Sequence, residues 1–225
     1  MPHQNDERRH SKALDAELIH DAQLRAEAEA RNGLRQFDVG MAMVDDSIAK
    51  GSFRLRPSML LALQRTALEG ISMFAGNYRP AGVKIGGSNH TPPGAHLVAE
   101  LVEDMCDYVN ENWADKTAIH LAAYVMWRLN WIHPFADGNG RTSRILSYVV
   151  LNAKLGCRLP GVRTIPDQIV EDRNPYFTAL DAADEYWRSN IIDVGAMETL
   201  IETLLAKQLT TIYEAAGGKI GDPTG

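Results

Sequence analysis

The segment of residues 131–144, WIHPFADGNGRTSR, combines residue types that favour phosphate chemistry. The apolar pattern predicts that one helix ends near Asn130 and that another begins near Asn139. The first turn of a helix exposes unpaired N–H groups and a partial positive charge, so acidic residues are favoured there. Here the chain instead places Arg141 and Arg144 on one face of that turn. This arrangement indicates that an anion binds at the helix start, because guanidinium groups hold phosphate oxygens through forked hydrogen bonds.

The turn before this helix adds further groups that a nucleotide site needs. Gly138 and Gly140 allow a ligand to come close to the backbone. The Asp137 carboxylate suits Mg²⁺, because a carboxylate beside phosphates requires a bridging cation, but Asp137 is also an ordinary N-cap residue. His133 has a side chain that can take a proton from a hydroxyl nucleophile. The segment therefore predicts a phosphate site with a base and a metal ligand, and the alternative is a capped turn with solvated arginines.

Helices dominate the elements that must position this segment. Apolar residues recur every three or four positions over residues 34–48, and they cover nearly the whole circumference of residues 117–130, which predicts a central buried helix. Residues 69–94 are rich in glycine and proline, and a short β-like stretch at 83–85 predicts a small hairpin there. The fold class is therefore mainly α, a helical bundle with a short β-hairpin. The predicted parts are a flexible N-terminus at 1–12, an N-terminal helical extension at 13–33 that Gly33 ends, a main domain at 34–205, and a C-terminal helix end with a tail at 206–225.

The composition excludes several classes of protein and favours a globular one. The chain has 225 residues, of which 45% are hydrophobic, and this is enough for a core. A net charge of −6 argues against broad nucleic-acid binding, which favours a basic surface. No apolar run approaches the ~20 residues of a membrane span, and the polar start lacks the apolar stretch of a signal peptide. Two cysteines, Cys106 and Cys157, make no disulfide framework. We therefore expect a cytoplasmic protein whose partners include neither nucleic acid nor a membrane.

At residues 133–144, the signature segment, the sequence resembles the motif of the Fic family, His-x-Phe-x-(Asp/Glu)-Gly-Asn-Gly-Arg-x-x-Arg, at every defined position. Residues 75–93 look like the flap that precedes this motif in the family, and residues 174–183 look like the helix that follows it. The resemblance spans about residues 34–205 and implies a Fic-like helical bundle. It also implies transfer of AMP from ATP to a Ser, Thr or Tyr hydroxyl of a target protein, with release of pyrophosphate.

The resemblance implies a role for each matching residue, with ATP as the substrate and Mg²⁺ as the cofactor. The metal ligand would be Asp137, and Tyr176 would flank the adenine, although a packed core aromatic is an equally good interpretation of Tyr176. The catalytic set would comprise His133 as the base that deprotonates the target hydroxyl, Asn139, Arg141 and Arg144. The nucleotide-binding set would comprise Phe135, which would anchor the loop in the core, with Gly138, Asn139, Gly140, Arg141, Arg144 and Tyr176.

The flap is implied to align the target protein by strand pairing. Its glycine-rich sequence fits docking through the main chain, and the alternative is an ordinary surface hairpin. The residues implied in docking are Val83, Lys84, Ile85, Gly86 and Gly87.

Many Fic proteins carry an inhibitory helix with the motif (Ser/Thr)-x-x-x-Glu-(Gly/Asn), whose glutamate pairs with the second arginine of the signature. Thr210 and Glu214 match its spacing on the last helix, but Ala215 stands where Gly or Asn is expected. Glu27 and Glu29 lack a Ser or Thr four residues earlier. The resemblance therefore implies autoinhibition by Glu214, with control by a separate inhibitory partner chain, or assembly into a homo-oligomer, as alternatives.

Two other functions fit the same residues. The site would also suit removal of AMP, or transfer of another nucleotide or of a phosphate. The chain would alternatively be a toxin-like regulatory module that a partner protein controls, in which the nucleotide is a structural ligand. The intact motif favours the enzyme.

Overall fold

The computed structural model describes residues 11–12, 17–88 and 90–217, and most of them are helical. This confirms the mainly α fold class. A 3₁₀ turn, Ala95–Leu97, precedes the third helix. The α-helices are α1 (Ala22–Lys50), α2 (Pro57–Leu68), α3 (Val98–Glu111), α4 (Ala118–Ile132), α5 (Asn139–Leu155), α6 (Ile165–Glu171), α7 (Asn174–Trp187) and α8 (Gly195–Ala215), and the two short strands are β1 (Ser11–Lys12) and β2 (Lys84–Ile85).

Helix α4 lies at the centre of the bundle, as its apolar surface predicts. It packs against α3, α5, α7 and α8, and Leu121, Val125 and Leu129 are fully buried. The Thr117 side chain caps its first turn by accepting a hydrogen bond from the His120 N–H at 3.0 Å. Because α4 and α5 pack against each other, the two ends of the signature segment are fixed by the core.

The N-terminal helix differs from the prediction in both its start and its continuity. Asp21 caps α1, with its carboxylate accepting from the Leu24 N–H at 2.9 Å, so the helix begins later than the composition suggested. Gly33 does not end it, and the predicted boundary at 33/34 falls inside one continuous helix. A glycine inside a helix costs about 1 kcal/mol relative to alanine. Packing of α1 against α2 and α5 outweighs that cost.

The prediction that the strand at 83–85 forms a local hairpin is also wrong, because this strand pairs with a distant segment. Strand β2 pairs antiparallel with β1, in the register Ser11 with Ile85 and Lys12 with Lys84. The sequence pattern missed this because a hairpin is a local pairing, whereas these strands lie far apart in the chain. A second bridge joins Glu17 to Ser72, so the segment before α1 runs along the flap side of the bundle.

Some predictions fall outside the described residues. They concern residues 1–10 of the flexible N-terminus, residues 13–16 of the helical extension and the tail at 218–225. Within the described part of the chain, none of the helices is both long and apolar enough to cross a bilayer.

Candidate active site

The signature segment joins α4 to α5 through a turn that the core holds firmly. His133 caps α4 in the left-handed conformation, at φ 52°, and its N–H donates to the Leu129 carbonyl at 2.9 Å. Phe135 is fully buried, and this position fits an anchor in the core. Gly138 precedes α5 at φ 82°, where a side chain would be strained and would also meet Leu68.

The His133 side chain is held as a neutral imidazole. It is 6% exposed, and its Nδ1 lies 3.2 Å from the Asn130 carbonyl oxygen. Burial lowers the pKa of His133 to about 4, with His90 and Arg79 adding to the decrease while the Asn130 hydrogen bond and Asp137 oppose it. Since a carbonyl can only accept, Nδ1 carries the hydrogen and Nε2 carries a lone pair. At pH 7 this ring can therefore act as a base through Nε2.

Asn139 braces the turn with both ends of its side chain. Its Nδ2 donates to the Phe135 carbonyl at 2.8 Å, and its Oδ1 accepts from the Phe135 N–H at 2.9 Å. The Asn139 side chain thus positions the turn, and its contact with phosphate stays a prediction. Asn139 is 2% exposed, yet it borders a cavity that His133 and Arg144 also line.

Arg141 and Arg144 both reach the start of α5, as their spacing predicts. Burial lowers the pKa of Arg144, and the nearby Arg173 and Arg141 lower it further, while Tyr176 opposes through its charge interaction and a hydrogen bond. A Cβ at Gly140 would lie 3.3 Å from Nη1 of Arg144, so the glycine leaves room for this guanidinium. Cationic groups gathered at a helix start form an electrostatic environment that favours a bound anion.

Apart from Phe135, the predicted nucleotide residues line one cavity of about 1500 Å³. Its walls come from α1, α4, α5, α6, α7 and the flap side. Phe135 lies beneath the turn and outside the cavity lining. The residues of the signature segment that line the cavity are His133, Ala136, Asp137, Gly138, Asn139, Gly140, Arg141 and Arg144.

Comparison with known proteins fits this geometry. A family model described as the Fic/DOC family matches residues 54–151, which run from just before α2 into α5 and include the whole turn. These residues form a Fic/DOC family domain. The Fic signature is therefore the segment that lines the cavity.

Curated relatives carry the name protein adenylyltransferase Fic. The protein of Drosophila willistoni is 29% identical over 189 residues, which cover 78% of this chain and 36% of the relative. That of Drosophila persimilis is 30% identical, with coverages of 78% and 35%. The chain thus spans about a third of the length of these relatives.

Solved structures share the fold. A Fic-domain-containing signaling protein from Bacteroides thetaiotaomicron superposes with a TM-score of 0.66 at 22% identity, covering 90% of this chain and 78% of that one. Fic-1 from C. elegans gives a TM-score of 0.62 at 22% identity, with coverages of 88% and 55%. These likenesses confirm the predicted Fic-like bundle.

Helix α1 brings two charges to the Fic signature that the motif did not identify. Nη2 of Arg25 lies 3.2 Å from Oδ2 of Asp137, and Nη1 of Arg141 lies 3.5 Å from Oε2 of Glu29. Arg25 also pairs with Glu29 at 3.1 Å and with Glu17 at 2.5 Å. The Arg25–Glu29 spacing of four residues is the only sequence signal for this pair, and it does not predict that α1 packs over the turn.

Asp137 fits the Mg²⁺ assignment only as a single carboxylate. Among the described residues no group of three or more His, Cys, Asp or Glu side chains could hold a metal. Mg²⁺, however, usually binds through one or two carboxylates together with substrate phosphates and water. Asp137 is 35% exposed, borders the cavity, and already attracts the cations of Arg25 and Arg141. Its donor chemistry therefore fits a metal that arrives with the nucleotide.

Tyr176 satisfies part of each prediction made for it. It is 2% exposed, and its hydroxyl accepts from Nδ2 of Asn130 at 2.8 Å and lies 3.3 Å from Oγ of Ser143. It is therefore a packed aromatic residue. It also borders the cavity, so a role beside the adenine stays a prediction.

The flap meets the cavity through only part of its predicted docking set. Ile85 borders the cavity, and Val83 is buried at 8% exposure. Lys84, Gly86 and Gly87 lie outside the cavity lining. Docking by this segment stays a prediction, and β1 occupies one edge of β2 in this structure.

The proposed inhibitory residue of the C-terminal helix, Glu214, lies on an exposed part of the described structure. Glu214 is exposed near the end of α8, and Thr210 is half-buried. Within the described range, no ion pair links Glu214 with Arg144. From outside the signature segment, Glu29 of α1 approaches Arg141 at 3.5 Å.

Proposed function

We propose that this protein transfers AMP from ATP to a Ser, Thr or Tyr hydroxyl of a target protein and releases pyrophosphate. The observation that carries the proposal is the neutral, buried His133 on the wall of the cavity that Arg141 and Arg144 also line. The name of the curated relatives supports the same reaction. Nucleotidyl transfer needs positioning and charge neutralisation, which these residues supply.

The proposed reaction begins at Nε2 of His133. This atom accepts the proton of the target hydroxyl while the hydroxyl oxygen forms a bond to the α-phosphorus of ATP. The bond between that phosphorus and the bridging oxygen to the β-phosphate breaks, and pyrophosphate leaves. Arg141 and Arg144 hold the β- and γ-phosphates and stabilise the leaving charge. Asp137 would hold Mg²⁺, which when bound supplies further neutralisation of the phosphate charge.

The test is incubation of the purified protein with a cell lysate and each of the four α-labelled nucleoside triphosphates, with γ-labelled ATP in a parallel reaction. We expect α-label from ATP to appear on a protein band, and γ-label not to appear. Transfer from another triphosphate would reassign the nucleotide, and transfer of γ-label would indicate a phosphotransferase. Release of label from a premodified target would support removal of AMP. Nucleotide binding without any transfer would support the regulatory module, and chelation of Mg²⁺ is the negative control.

We also propose that helix α1 restrains the site through Glu29. The Glu29 carboxylate lies where it competes with phosphate for Arg141, and it is partly exposed at 34%. For a partly exposed pair, the expected gain from Glu29→Gln is about two- to fivefold in MgATP affinity and in AMP transfer. Calorimetric titration and α-label transfer measure the two quantities.

Two matched variants separate the inhibitory candidates. Glu27→Gln makes the same change on an exposed turn of α1 and is expected to have no effect. Glu214→Gln tests the C-terminal candidate. If AMP transfer rises in Glu214→Gln but not in Glu29→Gln, the inhibitory residue is Glu214 on the last helix. If transfer rises in neither variant, a separate inhibitory chain is favoured.

A further inference from the structure

His90 joins the flap side of the cavity to the end of helix α4. Its Nε2 lies 2.7 Å from the backbone carbonyl oxygen of Trp131. Because a carbonyl only accepts, Nε2 is the donor. The His90 and Trp131 rings also lie close, with 5.6 Å between their centroids. His90 therefore binds the backbone two residues before the base, His133.

The carboxylate of Asp184, on α7, lies near Nδ1 of the His90 ring. Its Oδ2 lies 3.8 Å from Nδ1 of His90, and the two side chains are 16% and 13% exposed. Oδ1 of Asp184 accepts a hydrogen bond from Nε1 of Trp127 at 2.8 Å. His90 is thus held between a carbonyl of α4 and a carboxylate that α4 itself orients.

Arg79 makes the corresponding connection at the start of the flap. Its backbone N–H donates to the Pro134 carbonyl at 2.8 Å, and its Nε donates to the His133 carbonyl at 2.8 Å. Its guanidinium also donates to the carbonyl of Pro93, just beyond His90. Both ends of the segment from Arg79 to His90 are therefore hydrogen-bonded to the backbone near the base, Arg79 to His133 and Pro134 and His90 to Trp131.

We propose that His90 is a positioning residue that fixes the flap edge relative to the base, so that the hydroxyl of an extended target segment is presented to His133. The proposal rests on the proposed function. Ile85 and His90 border the same cavity as His133, so a change in the flap position changes the distance between a docked strand and Nε2 of His133. His90 itself takes no part in proton transfer.

The test combines a structural readout with a functional one. His90→Phe retains an aromatic ring beside Trp131 but removes the hydrogen bond. We expect amide hydrogen exchange at residues 84–88 of the nucleotide-free protein to rise about tenfold, because one buried hydrogen bond no longer opposes local opening. Transfer of α-label from ATP to lysate proteins is expected to fall by about tenfold or more, while MgATP affinity stays within about twofold.

His90→Gln is the conservative rescue, because its amide can donate to the Trp131 carbonyl without an imidazole. We expect it to restore most of the flap protection and of the transfer rate. His96→Phe makes the same exchange at an exposed position of the following 3₁₀ turn and is expected to behave as wild type.

Several outcomes would overturn the positioning role. They are unchanged exchange at residues 84–88 in His90→Phe, no rescue by glutamine, or a loss of MgATP affinity that parallels the loss of transfer. If the wild-type protein transfers no label at all, the proposed function fails, and the role in presenting a target fails with it. The exchange data then still report whether His90 holds the flap.

Discussion

Replacing His133 with alanine is expected to reduce AMP transfer by about a hundredfold to ten-thousandfold, which is the usual contribution of a positioned general base. The structure gives this residue the two properties that a base needs. Burial keeps its pKa near 4, so the ring is neutral at pH 7, and the Asn130 carbonyl orients it with Nε2 as the acceptor. Loss of the ring leaves the proposed phosphate ligands of α5, Arg141 and Arg144, in place. MgATP affinity is therefore expected to change by no more than about twofold.

The measurement is the initial rate of α-label transfer from ATP to protein bands, with MgATP affinity measured separately by calorimetry. His96→Ala is the matched control, since this histidine is exposed. A His133→Ala protein that labels its targets at the wild-type rate would remove the assignment of the base. A parallel loss of transfer and of nucleotide affinity would instead mean that the ring shapes the phosphate site.

The sequence was most informative where structure depends on local chemistry. The apolar circumference of residues 117–130 predicted the buried helix α4. The spacing of glycine, aspartate and arginine in residues 133–144 predicted a phosphate site, and these residues border the cavity. Asn139 also has a structural role that the motif did not indicate. Its side chain closes the turn through two hydrogen bonds with the Phe135 backbone.

Long-range contacts account for what the sequence missed. Arg25 meets Asp137 across 112 positions of the chain, and Ser11 of β1 pairs with Ile85 of β2 in a different part of the chain. No periodicity or local spacing encodes either contact, because each joins segments that only the tertiary fold brings together. The sequence did not identify Glu29 either, because the inhibitory motif requires a Ser or Thr four residues before the glutamate. The contact of Glu29 with Arg141 depends instead on where α1 places the side chain in the fold.

Replacing Arg144 with alanine is expected to weaken MgATP binding by about a hundredfold, which is typical when one partner of a close charge pair is truncated. Without a nucleotide this guanidinium lies near Arg141 and Arg173, and burial together with these two cations lowers its pKa. Keeping the Arg144 guanidinium charged at this position therefore costs free energy, and a bound anion would offset that cost. Arg144→Lys keeps the charge but loses the forked geometry, so an intermediate loss of about tenfold is expected.

Thermal unfolding of the same variants separates binding from structure. Because Arg144→Ala removes a cation from among other cations, the melting temperature of the nucleotide-free protein is expected to stay the same or to rise. Arg35→Ala is the control, since Arg35 is 53% exposed and its ion pair with Glu69 lies on the surface. MgATP binding by Arg144→Ala within about threefold of wild type would show that the second arginine is not a phosphate ligand. A lowered melting temperature would show that it is a structural residue.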